Sequence, residues 1–252
     1  MTAPLSTWEA TLESAKLYFR NTVFQRRSAL ILGLVAINII IAIVWALQLE
    51  YEEITSADGL LRITRESIFG FLLPFSALYF GTATIRDEYE GGTLPYLLTR
   101  PLSRNLLFLG RLFAAIVTVF AIVLVTQIAN ILILDSSLST PGQGKILLAL
   151  FLASTVYCTV FAALGAAISR PFLVGIIYLI LVEFTLMKVP VSIRFATLGA
   201  HIENIGGIAP TLDYSVENYY MAPSTSLAII VGVTALIAGI GCYIFNRRQY
   251  LK

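Results

Sequence analysis

Between two long apolar runs the chain reads EYEGGTLPYLLTRPLSR, Glu88 to Arg104, unlike either flank. Glycine and proline punctuate it, charges stand at both ends, and a short apolar core, LPYLL, lies in the middle. The flanks decide the fold. The 252 residues are 58% hydrophobic and 13% charged, with a mean hydropathy of +0.83, whereas soluble domains carry about 25% charge. Runs of ~20 apolar residues, enough for a helix to cross a hydrocarbon core ~30 Å thick, recur along the chain. The fold class is therefore all-α integral membrane, a single transmembrane domain over 1–252 with no soluble domain expected beside it.

Six spans are read from hydropathy, at about 29–49, 67–85, 106–134, 146–168, 172–189 and 226–246. The first 28 residues are too long and polar for a secretory leader, so the first run is expected to be an uncleaved span. With the N-terminus placed in the cytoplasm, Lys16, Arg20, Arg26, Arg27, Arg86, Arg100, Arg104, Arg111, Arg170, Arg247, Arg248 and Lys252 fall inside. Arg62, Arg65, Lys145, Lys188 and Arg194 fall outside. That excess obeys the positive-inside rule and puts both termini in the cytoplasm.

The connections differ in character. The first outer loop, LEYEEITSADGLLRITRE, is acidic, and Ser169-Arg170-Pro171 makes a tight inner hairpin. Residues 190–225 form the longest outer segment, with a composition suited to short interfacial or re-entrant helices buried against protein. Before the first span, Trp8, Leu12, Ala15, Phe19 and Thr22 share one helical face, away from Glu9, Glu13, Lys16 and Arg20. That pattern predicts an amphipathic helix on the inner membrane surface, within 1–28.

The quoted stretch lies on the cytoplasmic side of this topology. Gly91-Gly92 ends the second span, Thr93 caps a new helix, Pro95 is tolerated in its first turn, and Arg100 before Pro101 ends it. Ser103 then caps the third span. The result is a helix of one to two turns with Leu94, Leu97 and Leu98 on its apolar side. Glu88 and Glu90 precede its positive end, and Arg100 and Arg104 follow its negative end. Two readings stand: leucine anchors seated in a groove of a cytoplasmic partner, or a helix lying flat on lipid headgroups.

IRDEYEGGTLPYLLTRPLSRNLLFLGRL resembles the signature of permease subunits of type-2 ABC exporters. In these, acidic residues, Gly-Thr-Leu, paired leucines, Pro and Ser-Arg join the second and third spans. Glu88, Glu90, Gly92, Thr93, Leu94, Leu97, Leu98, Pro101, Ser103 and Arg104 match that pattern. Pro95 departs from it, standing where the family more often has an acidic or polar residue. The six-span layout and the N-terminal helix are similar as well. The resemblance implies that the short helix is a coupling helix seated on a separate cytoplasmic ABC ATPase dimer, in a prokaryotic inner membrane. It also implies a second permease chain, identical or related, beside this one in the bilayer.

No Gly-x-x-x-x-Gly-Lys-Ser/Thr loop is present; the nearest string, Gly142-Gln-Gly144-Lys145, lacks the first glycine and is followed by Ile146. With a single histidine and no discernible catalytic set, no cofactor, metal or catalytic residue is expected in this chain, nor nucleic acid as a partner, and the resemblance implies that ATP and Mg belong to the partner subunit. Cys158 and Cys242 sit in different apolar runs and are not expected to pair, and the single His201 reads as an ordinary outer-loop residue.

Inside the membrane one carboxylate stands out. Glu183 lies about 18 Å into the fifth span at 1.5 Å per residue, where a charge costs ~3 kcal/mol on insertion scales and needs a partner or a wet cavity. Gln127, Asn130, Tyr157 and Tyr178 are candidates by depth. Glu183 is read either as a substrate-path residue or as an interhelical tether. Small residues at Ala162, Ala163, Gly165, Ala166 and Ala167, and at Gly232, Ala235 and Gly239, are expected to allow close helix packing, and Pro74 to kink span two.

The functional expectation is the permease subunit of an ATP-driven exporter. Two alternatives remain at this point. One is a mechanical transmitter of the same architecture, acting on a periplasmic or other extracytoplasmic protein. The other is an ATP-independent secondary transporter or channel, which broken helices and several intramembrane charges would favour.

Overall fold

A computed structural model describes residues 16–19, 28–52, 55–90, 103–134, 142–187, 192–208 and 221–247. Among these residues regular structure is helical throughout, with no strand. Helix α1 is Ala29–Glu52. Helix α2 runs without a break through α-helical Ser56–Ile63, π-helical Thr64–Leu72 and α-helical Leu73–Glu90. Helix α3 is Arg104–Ile133 and α4 is Gln143–Ala167. Helix α5 is Pro171–Tyr178, continued by π-helical Leu179–Leu186. A 3₁₀ turn at Ser192–Ala196 leads into α6, Leu198–Gly206, and α7 is Pro223–Arg247.

Among the described residues five helices are long and apolar enough to span a membrane, α1, α2, α3, α4 and α7. The expected fifth span is a shorter apolar helix, Pro171–Leu186, about 24 Å long at 1.5 Å per residue against a hydrocarbon core of ~30 Å. Helix α2 begins eleven residues before its expected start at 67, so much of the expected acidic loop is helical. The cause is local. Thr55 is extended and its hydroxyl accepts from the Asp58 amide at 3.2 Å, while Gly59, Leu60 and Ile63 bury the inner face.

Other ends follow the chemistry read from the sequence. Ser103 caps α3, its hydroxyl accepting from the Leu106 amide at 3.3 Å. Gly142, at φ 99°, takes the left-handed turn into α4 that a side chain would disfavour. Pro171 occupies the first turn of α5, where its missing N–H costs nothing. The irregularity expected at Pro74 takes another form: the π-helical stretch ends two residues before it, with the Leu73 amide donating five residues back to the Ile68 carbonyl. Wider winding pairs donors and carbonyls in the turn that the proline ring would otherwise disrupt.

The centre of the bundle is the pair α2 and α4, the most buried of the long helices. Their axes approach because glycines face each other's backbone. A Cβ at Gly81 would lie 2.8 Å from the Phe161 Cβ, and one at Gly165 would lie 2.8 Å from the Thr82 carbonyl oxygen. Helices α1 and α7 are peripheral. On α7 the close approach is at Gly241, against the Phe108 ring, whereas Gly232 and Gly239 have open space before them among the described residues. Gly232 and Gly239 of the expected small-residue face thus make no close helix contact among the described residues. Of the N-terminal segment, residues 16–19 are helical; Tyr18 is the buried residue, donating to the Phe80 carbonyl at 2.6 Å, and Phe19, placed on the apolar face by periodicity, is exposed.

Adding one methyl group where two backbones touch forces the helices apart. Gly165→Ala should cost about 1–3 kcal/mol and lower the thermal unfolding midpoint in detergent, while Gly232→Ala should leave it unchanged. Equal midpoints for the two variants would refute this account of the α2–α4 contact.

Candidate functional site

Glu183 sits on the π-helical part of α5 and is 1% exposed. The Tyr178 hydroxyl donates to its Oε1 at 2.7 Å and the Tyr157 hydroxyl, from α4, to its Oε2 at 2.8 Å. The backbone amides of Leu198 and Gly199 complete the set, donating to Oε1 at 3.1 Å and to Oε2 at 3.0 Å. These amides are the first two of α6, which lack intrahelical partners and carry the positive end of the helix dipole. The carboxylate of one helix thus caps another, and Thr197 adds the neighbouring bond, its Oγ1 accepting from the Ala200 amide.

Two local features make this fit. In an α-helix residues five apart point about 140° away from each other, but the wider winding after Tyr178 carries Glu183 back over its hydroxyl. At Gly199 a Cβ would lie 3.1 Å from Glu183 Oε2 and 3.0 Å from the Met187 sulfur, so a side chain there would press on the carboxylate and force it or Met187 to shift by a few tenths of an ångström. Four donors around one carboxylate offset the cost of burying it.

A second buried carboxylate lies on the same short helix. Glu203, 2% exposed, accepts from Arg65 Nε of α2 at 2.8 Å and stands 3.6 Å from Arg194 Nη2 of the 3₁₀ turn. Burial pushes its pKa up, and the guanidinium groups of Arg65 and Arg194 pull it back down. His201, on α6, is buried rather than lying in a loop as expected. Its Nε2 donates to the Phe195 carbonyl at 2.9 Å, a partner that can only accept, so Nδ1 is left to accept from the Ser226 hydroxyl of α7 at 3.2 Å. Asn204 donates to the Ser226 oxygen and to the Met221 carbonyl, both at 2.8 Å. Nine residues of helix are thereby fastened to α2, α4, α5 and α7.

The other candidate residues are placed differently. Gln127 and Asn130, both fully buried on α3, make no hydrogen bond to Glu183 among the described residues. Gln127 Oε1 accepts from Thr64 of α2 at 2.9 Å; its Nε2 and both polar atoms of the Asn130 side chain have no partner among the described residues. Glu88 and Glu90 fall in the last turn of α2. Arg104 opens α3 and donates to the Asn246 carbonyl of α7 at 3.0 Å, with Asn246 Nδ2 donating to Asn105 at 2.6 Å. Gly92, Thr93, Leu94, Leu97, Leu98, Arg100 and Pro101 lie outside the described residues. Arg111, counted among the inner-face cations, is 1% exposed and donates to the Thr84 carbonyl of α2 at 3.0 Å.

Sequence reading missed Glu203, Arg65 and His201. The signal available was the spacing of His201, Ile202 and Ile205 after a Thr-Leu-Gly start, which gives a short helix with a buried face that also holds Glu203.

Two measurements follow from this geometry. Glu183→Leu leaves two hydroxyls and two amides unpaired and should cost about 2–4 kcal/mol, with accelerated hydrogen exchange at Leu198, Gly199 and Ala200. Glu183→Gln presents an amide N–H to one backbone donor and should fall between Leu and wild type; equal stability of all three would remove the capping role.

His201 supplies the second. Burial lowers its pKa, against a smaller opposing effect of the Phe195 carbonyl and of Glu183. Its contribution to stability is thus present above the ordinary value of about 6.5 and is lost as the pH falls through the lowered folded value. NMR titration of this single histidine should give a midpoint below ~6.5; a midpoint above it would mean that the ring is not buried in this way.

Comparison with known proteins adds one assignment. The profile of a family described as ABC-2 family transporter protein matches residues 15–172. No match to a curated protein was found. The matched region runs from the N-terminal helical segment through α1, α2, α3 and α4 to the first turn of α5, more than half of the 252 residues, and the chain therefore belongs to the ABC-2 family of transporter proteins.

Proposed function

We propose that this chain is the membrane-spanning subunit of an ATP-driven exporter, working with a separate cytoplasmic ATPase dimer and a second permease chain in a prokaryotic inner membrane. The family match carries this reading, because the matched residues include the stretch Glu88 to Arg104 between α2 and α3. In the proposed arrangement both termini are cytoplasmic, and α5 completes six crossings. Leu94, Leu97 and Leu98 seat on the ATPase, which binds ATP and Mg, with Glu88, Glu90, Arg100 and Arg104 around them. Gly92, Thr93 and Pro101 set the ends of the coupling helix.

The buried fastening of α6 supports a defined step at the other end of the bundle. Glu183 and Glu203 join α6 to α2, α4 and α5. ATP-driven movement of α2, transmitted from the coupling stretch along one continuous helix, acts on Arg65 and so on α6. In an exporter this movement opens the outer end to release substrate.

The same fastening also favours a second reading, in which α6 moves as a lever on an extracytoplasmic protein and nothing crosses the bilayer. Recovery of such a protein with the purified complex distinguishes the lever from the exporter.

Leu97→Asp or Leu98→Asp should abolish co-purification of the ATPase in mild detergent while leaving membrane insertion of the chain intact. Normal recovery of the ATPase with both variants would overturn the coupling assignment.

A further inference from the structure

Helices α1 and α2 cross with a groove between them, a cavity of about 380 Å³. One wall is Leu34, Ile37, Ile41 and Trp45 of α1, at the spacing of a single helical face; the other is Ile63, Phe71 and Leu72 of α2. The groove follows the π-helical stretch of α2 and extends roughly 16 Å along α1 from Trp45 to Leu34. Its chemistry changes with depth. At one end the Arg62 guanidinium lies 5.0 Å from the centre of the Trp45 ring, and its Nε is 3.6 Å from Glu66 Oε1, both charged side chains being about half exposed. One turn deeper, Ser67 Oγ accepts from Asn38 Nδ2, which leaves the serine proton to donate elsewhere. Beyond that the walls are aliphatic and aromatic.

We propose that this groove binds one glycerophospholipid whose headgroup carries a phosphate and a primary ammonium. The phosphate meets Arg62 and the ammonium meets Glu66, whose mutual ion pair is exposed and weak enough to be exchanged. The Ser67 hydroxyl donates to a glycerol-backbone oxygen directly beneath, and one chain lies along Ile41, Ile37, Leu34 and Phe71. Trp45 marks the interfacial depth at which such a headgroup sits. A quaternary ammonium fits less well, because it has no N–H to give Glu66 and the Trp45 ring already lies against Arg62. A second copy of the chain also fits poorly: membrane helices pack on small residues, and these walls carry Leu, Ile, Phe and Trp.

The test uses the full chain in nanodiscs holding equal parts of phosphatidylethanolamine, phosphatidylglycerol and phosphatidylcholine with the same acyl chains, followed by delipidation and native mass spectrometry. The expected result is one retained lipid per chain, with the ethanolamine form favoured about five-fold over each of the others, the scale of one modest ion pair. Ile37→Trp, at a half-exposed position on the groove wall, fills the cavity and should abolish retention. Glu66→Gln should keep the lipid but erase the preference for ethanolamine over choline. No retained lipid, equal retention of the three headgroups by the wild type, or an efficient disulfide between two chains carrying Ile41→Cys would overturn the proposal.

Discussion

The Glu183 carboxylate accepts from two tyrosine hydroxyls and two backbone amides in a place closed to solvent, and the placement of α6 against α4 and α5 depends on that set. A lone carboxylate at this depth would be costly, and a short helix starting there would leave its first amides without partners. Each problem resolves the other. The helix supplies donors and a positive dipole end, and the carboxylate supplies the charge that the helix end favours. Glu203, Arg65 and Arg194 repeat the principle further along α6, with an ion pair in place of a cap. Buried carboxylates among the described residues thus stand where a short amphipathic helix is held against long apolar ones.

The two π-helical stretches serve this arrangement. In α5 the wider winding carries Glu183 over Tyr178, and in α2 it places Thr64, Arg65 and Ser67 toward three different helices, α3, α6 and α1. Phe71 and Phe184, one from each stretch, meet with ring centroids 5.5 Å apart. Interhelical polar contacts and irregular backbone thus coincide at these two stretches. A strictly α-helical span would point those side chains along directions that the neighbouring helices do not occupy. The central α2–α4 contact, by contrast, is regular and close, and its geometry comes from the absence of side chains at Gly81 and Gly165.

Legibility differed by the kind of signal. Apolar length placed α1, α3, α4 and α7 within a few residues, because hydrocarbon thickness sets a length that composition alone can reveal. Ser103, Pro171 and the Ser169–Pro171 turn were readable because capping and ring closure act within a few residues of chain. The start of α2 was not, since Arg62, Arg65 and Glu66 look like a solvated loop until their partners are known. His201 and Glu203 failed for the same reason: a titratable residue in an outer segment reads as exposed unless the groups that satisfy it, 138 residues away in the case of Arg65, are brought alongside. Among the partners considered for Glu183, depth could not separate Gln127 and Asn130 from Tyr157 and Tyr178, because depth carries no information about which face of one helix meets which face of another.

The sequence by itself determined the class of protein, the apolar lengths of its helices, most of their local ends and the stretch that resembles a known permease signature. Those are properties of contiguous residues, decided by hydropathy, capping and backbone restriction. Only the tertiary structure decided that Glu183 caps α6, that Arg65 and Glu203 pair, that Gly165 rather than Gly232 lies in a close helix contact, and that α1 and α2 leave a groove with a charged mouth. Each of these depends on relative rotation and offset of helices distant in the chain. For apolar helices these are settled by side-chain fit and by the few polar groups that must find a partner where water cannot serve.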